Sequence, residues 1–327
     1  MSAARVCAIS VDLDEIHHYY AIHALAAPAL AARHQVYDCA LGRYRDWAAA
    51  ERVPLTLFAV GSDLSRPENG RTLRALAEQG HELGNHSFDH WYDLSRQSRA
   101  EMQSQIARAG DAIQAQTGAR PTGFRAPGYV MSDELYGTLA ELGLQYSSSV
   151  FPCPYYYFAK LAKLGALALR GKSSESIASG AEMLLSPRTP YRIGHPYWRA
   201  GAGMLELPIQ VTPWLRLPVF GTSLMLLGPR LARQLVRRLA GQPFINLELH
   251  GIDLLDASDQ LAELAPHQFD LRVSLERKWQ TLTAVVDELK KLGFGFERLD
   301  EVARRLLSSA TPCAKSARSQ SPRCSLA

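Results

Sequence analysis

Short apolar runs alternate with longer segments of helical period along most of this chain, and this alternation constrains the fold more than any other feature. The predicted strands cover residues 5–13, 54–61, 81–86, 122–127, 144–150, 244–250 and 295–299. The predicted helices cover residues 35–52, 67–79, 97–117, 132–142, 229–241 and 274–292. Strands that alternate with helices indicate βαβ units around a mostly parallel sheet or barrel.

The alternation stops between residues 151 and 220. This segment is rich in Pro, Tyr and Gly and has no clean period, which predicts a long insertion on one face of the fold. The final residues, 308–327, are rich in Ser, Pro and Arg and predict a disordered tail. We therefore expect a single α/β domain over residues 1–307, interrupted by the insertion at about 151–220.

Composition excludes several classes of protein. The chain is 47% hydrophobic and 21% charged, as in ordinary globular proteins, and its net charge of +4 is too small to indicate a nucleic-acid partner. Its five scattered cysteines include no CxxC pair, so neither a disulfide framework nor a cysteine zinc site is indicated. The stretch "MSAARVCAISVDLDE" lacks the apolar core of a signal peptide. We expect a soluble, cytoplasmic protein.

Potentially reactive side chains lie at the ends of four predicted strands. They are Asp12, Asp14, His86, His90, Arg125 and His250. In α/β sheets and barrels, catalytic groups gather where strands end, because a rigid strand holds the first residues of the following loop in place. The sequence therefore predicts one site that all four strands share.

His86 and His90 are four residues apart, a spacing that lets both imidazoles face one ion from a single helical turn. Two histidines and one carboxylate leave positions open for water and substrate, as in catalytic zinc sites. An isolated HxxxH pattern is more often an ordinary pair of surface or core histidines, so the pattern alone leaves both interpretations open.

Asp12 and Asp14 point to the same side of their predicted strand, because side chains alternate with a period of two. Two carboxylates this close repel unless a cation or a proton separates them. One of them would bind a metal while the other stays ionised as a base beside Arg125. The alternative is a solvated pair of aspartates at the end of a strand.

Five short motifs occur in order along the chain: "VDLDE", "GHELGNHSFDH", "FRAPGY", "YSSSVFP" and "LELHG". In sequence and spacing they resemble the motifs of the polysaccharide deacetylase family (NodB homology, carbohydrate esterase 4), over roughly residues 5–305. The resemblance implies a distorted (β/α) barrel, and it implies hydrolysis of N-acetyl or related groups on sugars with a divalent metal, often Zn²⁺.

The resemblance also implies roles for individual residues. The metal ligands would be Asp14, His86 and His90. Asp12 would be the general base, Arg125 would hold it, and His250 would be the general acid that protonates the leaving amine. The backbone N–H of Gly128 would bind the developing oxyanion.

Two positions depart from the motifs of the family. Ser147 stands where the fourth motif usually has an aspartate, so the carboxylate that would raise the pKa of His250 is missing, and Asp253 is the predicted substitute. Tyr129 stands in place of a glycine of the third motif, which predicts a narrower cleft and an altered choice of substrate.

We expect a metal-dependent hydrolase that removes an N-acetyl or N-formyl group from an amino sugar. Two alternatives stay open: a metal-independent hydrolase of the allantoinase-like branch, and a catalytically silent carbohydrate-binding protein of the same fold.

Residues 155–172 bear on the location at which the protein would bind its carbohydrate substrate. The stretch "YYYFAKLAKLGALALRGK" is aromatic, apolar and basic. It is either a helix packed over the barrel or a segment that lies in a membrane interface and holds a lipid-linked substrate. The second interpretation predicts peripheral contact with the inner face of the cytoplasmic membrane.

Overall fold

The computed structural model describes residues 5–309 of the chain. The strands are β1 (Arg5–Asp12), β2 (Leu55–Ala59), β3 (Glu82–Asn85), β4 (Gly123–Phe124), β5 (Tyr146–Ser147), β6 (Tyr191–Ile193), β7 (Ala200–Glu206), β8 (Phe244–His250) and β9 (Phe294–Phe296). The α-helices are α1 (Ile16–Ile22), α2 (Leu41–Glu51), α3 (Pro67–Glu78), α4 (Arg99–Thr117), α5 (Asp133–Glu141), α6 (Pro154–Ala168), α7 (Gly221–Arg237), α8 (Leu275–Lys291) and α9 (Leu299–Ser309). Between residues 5 and 309, no helix is long and apolar enough to cross a membrane.

All these strands belong to one curled sheet with the order β6-β7-β5-β4-β3-β2-β1-β8, and β9 pairs with the start of β1. Every pairing is parallel except that of β6 with β7. The chain that follows β7 reaches across to β8, where the Gln210 N–H donates to the Asn246 carbonyl at 3.0 Å. The Asn246 amide donates to the Leu207 carbonyl at 2.8 Å. These bonds hold the sheet as a half-barrel.

Alternation along β1 divides the apolar core into two parts. Cys7, Ile9 and Val11 belong to the large cluster that also contains side chains of α2, α7 and α8. Val6 and Ala8 instead join side chains of α9 in a second cluster. Because side chains alternate between the two faces of a strand, α9 covers the interior at the amino ends of the strands. Polar residues of the interior lie at both ends: Thr56 and Glu82 meet the start of α9, and Ser10 and Asp12 lie toward the carboxyl ends.

The predicted strands and helices are all present, and the largest difference lies in residues 151–220. The predicted insertion contains α6, and it contributes β6 and β7 to the sheet, where β7 runs parallel to β5. The start of β7 is "AGAG" and is exposed, so this strand lacks the apolar alternation that marks the others. The predicted tail begins inside α9, and from residue 310 onward it lies outside the described residues.

Candidate active site

The register of the sheet brings the predicted site residues to one edge. Asp12 is the last residue of β1 and pairs with His250, the last residue of β8. His86 follows β3 directly, and Arg125 follows β4 directly. Since β1, β2, β3, β4 and β8 are parallel, their carboxyl ends meet, as expected for a site in a sheet of this kind.

Asp14, His86 and His90 converge on one point. The Asp14 Oδ1 lies 3.0 Å from the His86 Nε2 and 3.2 Å from the His90 Nε2. All three side chains are buried, and their candidate ligand atoms all lie within 4.8 Å of one another. This is the set of two imidazoles and one carboxylate that catalytic zinc sites use.

The hydrogen bonds of the cluster fit a cation. His86 Nδ1 lies 2.8 Å from the Arg125 carbonyl oxygen, and because a carbonyl only accepts, Nδ1 carries the proton and Nε2 presents a lone pair. That lone pair faces the carboxylate of Asp14. Both Asp14 Oδ1 and His90 Nε2 are buried without a hydrogen-bond partner. Buried acceptors that face one another need a positive charge between them, and these three residues suit a divalent metal.

Without a cation, a proton would take its place. Burial opposes a charge on His86, but Asp12 and Asp14 outweigh it and raise the pKa of His86. Burial also opposes ionisation of Asp14, yet the two histidines hold its pKa well below the usual range. Burial lowers the pKa of His90, so of the two imidazoles only His86 gains affinity for a proton from the carboxylates.

The two histidines do not share a helical turn, so that part of the prediction is wrong. Residues 86–90 form a loop in which Ser87 and His90 have φ of 64° and 54°, in the left-handed region. Gln105 of α4 holds this loop, because its Oε1 accepts from the N–H groups of Phe88 at 3.2 Å and Asp89 at 2.8 Å. A loop, and not a helical turn, therefore brings the two imidazoles together.

Arg125 fixes Asp12 as the sequence predicts. It is fully buried, and its Nη1 donates to the Asp12 Oδ1 at 2.8 Å. Its other donors reach the carbonyl and hydroxyl oxygens of Ser148, each at 2.7 Å, and the Ser10 hydroxyl at 3.0 Å. With Oδ1 engaged, the Asp12 Oδ2 faces the cluster of Asp14, His86 and His90, and it lies 3.9 Å from the His86 Nε2.

Comparison with known proteins finds similarity in both sequence and fold. The family model described as "Polysaccharide deacetylase" matches residues 43–147. The resemblance to the polysaccharide deacetylase family is thereby confirmed over these residues, which are about a third of the chain. A chitooligosaccharide deacetylase of Sinorhizobium fredii is 37% identical over 101 residues, which are 30% of this chain and 45% of that protein. The peptidoglycan-N-acetylglucosamine deacetylase PgdA of Listeria monocytogenes is 35% identical over 82 residues, 25% of this chain and 17% of that protein. The matches span less than half the length of these curated relatives.

Solved structures confirm the fold. A protein from Pseudomonas aeruginosa assigned to the polysaccharide deacetylases superposes with a TM-score of 0.59 at 14% identity, covering 94% of this chain and 93% of that one. A protein from Mycobacterium smegmatis with the same assignment gives a TM-score of 0.57 at 15% identity, covering 97% and 96%. The distorted half-barrel of the polysaccharide deacetylase family is therefore the fold of this chain.

Sequence reasoning missed one residue of the site, Glu248. Its Oε1 lies 3.0 Å from the His250 Nδ1, and it accepts a hydrogen bond from the Tyr129 hydroxyl at 2.9 Å. Burial works against a charge on His250, but the carboxylates around it, led by Glu248, raise its pKa to about 9. The signal was present in "LELHG", since residues two apart on a strand point to the same face.

The sequence predicted Asp253 as the carboxylate partner of the His250 imidazole, but in the structure these two side chains do not pair. The Asp253 Oδ2 accepts from the backbone N–H of His250 at 2.8 Å, so it fixes the backbone after β8. Ser147 lies in a separate contact, with its hydroxyl 2.9 Å from that of Ser149. The carboxylate beside the His250 imidazole is therefore that of Glu248, and not that of Asp253.

A cavity of about 410 Å³ opens over the site. Asp12, His86 and His250 line one wall, and residues of α6 line another. Gly128 and Tyr129 lie on its rim with φ of 60° and 64°. A Cβ added to Gly128 would lie 2.7 Å from the Tyr92 ring, so only glycine suits this position.

Proposed function

We propose that this protein is a metal-dependent hydrolase that removes an N-acetyl or N-formyl group from an amino sugar. One observation carries the proposal: Asp12, held by Arg125, and His250, held by Glu248, face one cavity together with a cluster suited to a metal. The names of the curated relatives support a carbohydrate substrate and deacetylation.

Asp14, His86 and His90 would hold the cation. We propose Zn²⁺, because two imidazoles and a carboxylate that leave coordination positions open are typical of hydrolytic zinc sites. When bound, such a cation lowers the pKa of a water molecule toward about 7 and polarises the acyl carbonyl.

The protein's own residues would move the protons. The Asp12 Oδ2 can accept a proton from the attacking water, since Arg125 occupies the other oxygen and Oδ2 faces the cluster. His250 would be the general acid. With a pKa of about 9 it is protonated at neutral pH and can donate to the leaving nitrogen, which departs poorly as an anion.

The oxyanion that develops during attack needs hydrogen-bond donors. We propose that the backbone N–H of Gly128 is one of them, since this residue borders the cavity beside Tyr129. Tyr129 in turn contacts Glu248, so one short loop would link the oxyanion to the acid.

We further propose that the amino sugar is lipid-linked and that the protein meets it at the inner face of the cytoplasmic membrane. Large apolar side chains on α6 support this: Tyr155 is 52% exposed and Phe158 is 61% exposed. Aromatic residues of this kind favour the interface between headgroups and acyl chains. Fractionation of cells that express the tagged protein would test the location, and recovery entirely outside the cell would contradict it.

Amine release from a panel of N-acetyl and N-formyl amino sugars, free and lipid-linked, tests the activity. Metal content would be measured on the same preparation. We expect release from at least one member of the panel, abolished in Asp12→Asn protein. A preparation with stoichiometric metal that releases no amine from any member would contradict the proposed function.

A further inference from the structure

Helix α6 is amphipathic in the reverse of the usual sense. Lys160 and Lys163 line the cavity, whereas Tyr155, Phe158 and Leu161 are exposed. Ordinary surface helices turn apolar side chains inward and charged ones outward. A helix that directs its cations into a cavity indicates that something in the cavity carries negative charge.

The two ammonium groups share one face of the helix, because residues three apart on a helix are neighbours. Lys160 Nζ donates to the Gly128 carbonyl oxygen at 3.1 Å, which places it beside the loop that carries Tyr129. Both lysines are partly buried. Within residues 5–309, neither has a carboxylate at ion-pair distance.

This environment disfavours both charges as they stand. Burial lowers the pKa of each lysine to about 8, and the charge of Lys163 adds to the effect on Lys160. Ile22, Tyr156 and Leu164 also line the cavity, and its carboxylates, Asp12, Asp14 and Asp270, do not form an ion pair with either ammonium group. An anion bound between the ammonium groups would remove this penalty.

We propose that Lys160 and Lys163 bind a phosphate or phosphodiester group attached to the amino sugar. The proposal rests on the proposed function and narrows its substrate class. A neutral oligosaccharide offers hydroxyl acceptors but no negative charge to two partly buried cations. A phosphate carries up to two negative charges and several acceptor oxygens, which match two ammonium groups better than one carboxylate does.

Calorimetric titration of the purified protein with N-acetylglucosamine 1-phosphate and with N-acetylglucosamine tests the subsite. We expect the phosphorylated sugar to bind more tightly. The Lys160→Gln, Lys163→Gln double variant should weaken that binding by roughly tenfold or more while leaving the unphosphorylated sugar unaffected.

The matched control is Arg170→Gln, Lys172→Gln, which removes the same number of charges from exposed positions of the same segment. It should bind like the unaltered protein. Lys163→Gln alone avoids the contact with Gly128, and it should reproduce part of the loss. Equal affinity for both sugars, or equal losses in the cavity and control variants, would overturn the proposal.

Three phosphate sources are then compared: the sugar 1-phosphate, a nucleotide diphosphate sugar and a prenyl phosphate sugar. Lysine-dependent binding of any one supports the subsite, and the tightest identifies the source. Because binding requires no turnover, lysine-dependent binding without amine release would reject the proposed function and keep the subsite. Amine release that is unchanged by the phosphate and by the lysine substitutions would support the proposed function and reject the subsite.

Discussion

The two walls of the cavity are built differently. On the wall formed by the strand ends, Asp12, His86 and Arg125 are buried, and each is tied by contacts of 3.0 Å or less. On the opposite wall, α6 has no buried residue. Side chains of the first wall cannot move without breaking buried polar contacts, whereas α6 is held mainly by the ring contacts of Tyr156 and the hydrogen bond of Lys160, so we expect it to shift at smaller cost. The proposed chemistry lies on the first, rigid wall, and the proposed phosphate subsite lies on the second, adaptable one.

The largest effect is expected when the rigid wall loses the two histidines that are proposed to bind the metal. The His86→Ala, His90→Ala double variant should lose bound metal and activity together, because one carboxylate cannot hold the ion alone. Metal analysis, amine release and circular dichroism would be measured on one preparation, with exposed His195→Ala as the control. Stoichiometric metal in the double variant would contradict the ligand assignment.

A second variant separates proton transfer from metal binding on the same wall. Asp12→Asn should retain the metal but lose about 10²-fold or more in turnover, since the amide cannot act as a base. The exposed Asp46→Asn serves as a matched control. Turnover near the normal rate in Asp12→Asn would mean that another group is the base.

Glu248→Gln sharpens the assignment of the acid. Its carboxylate favours the imidazolium form of His250, whose pKa is about 9. Without that charge the pKa should fall, so the acid is deprotonated at lower pH and activity is lost earlier as pH rises. We expect the alkaline limb of the pH-rate profile to shift downward, with a smaller shift in Asp253→Asn. A larger shift in the Asp253 variant would return the role to that residue.

The smallest expected effect concerns the outer face of α6. Phe158→Ser, Leu161→Ser should weaken binding to anionic vesicles by about fivefold to tenfold, since less apolar surface enters the interface. The cavity variant Lys160→Gln, Lys163→Gln should bind vesicles normally, which separates the two faces. Co-sedimentation at low and high salt would measure both. If the unaltered protein fails to bind at low salt, the membrane contact is excluded.

The sequence predicts the rigid wall better than the adaptable one, for physical reasons. Buried parallel strands have a clear apolar pattern, so the residues that end them can be placed at one edge, and Asp12, Arg125 and His250 do meet there. Glu248 was not predicted because it lies inside β8, whereas the candidate residues were those that end a strand. It takes the place predicted for Asp253.

The adaptable wall depends on features that a local pattern does not contain. The composition of α6 indicates an apolar and basic helix, but the direction of each face depends on where the helix docks. For that reason the sequence left open whether this basic segment packs over the barrel or lies in a membrane interface, whereas in the structure Lys160 and Lys163 line the cavity. The loop that holds His90 was equally hidden, because its left-handed residues are not glycines.

The left-handed backbone near the site limits how the thermal stability of the protein can be raised. Ser87, His90 and Tyr129 all adopt left-handed conformations, which disfavour residues with a Cβ by about 1–2 kcal/mol each. Glycine at these positions would relieve the strain, so a screen for thermal stability alone would favour it. The same changes would remove His90, a proposed metal ligand, and Tyr129, the hydrogen-bond partner of Glu248, and would loosen the loop of residues 86–90. Stabilising substitutions are better sought away from the cavity, where resistance to heat and the shape of the site do not compete.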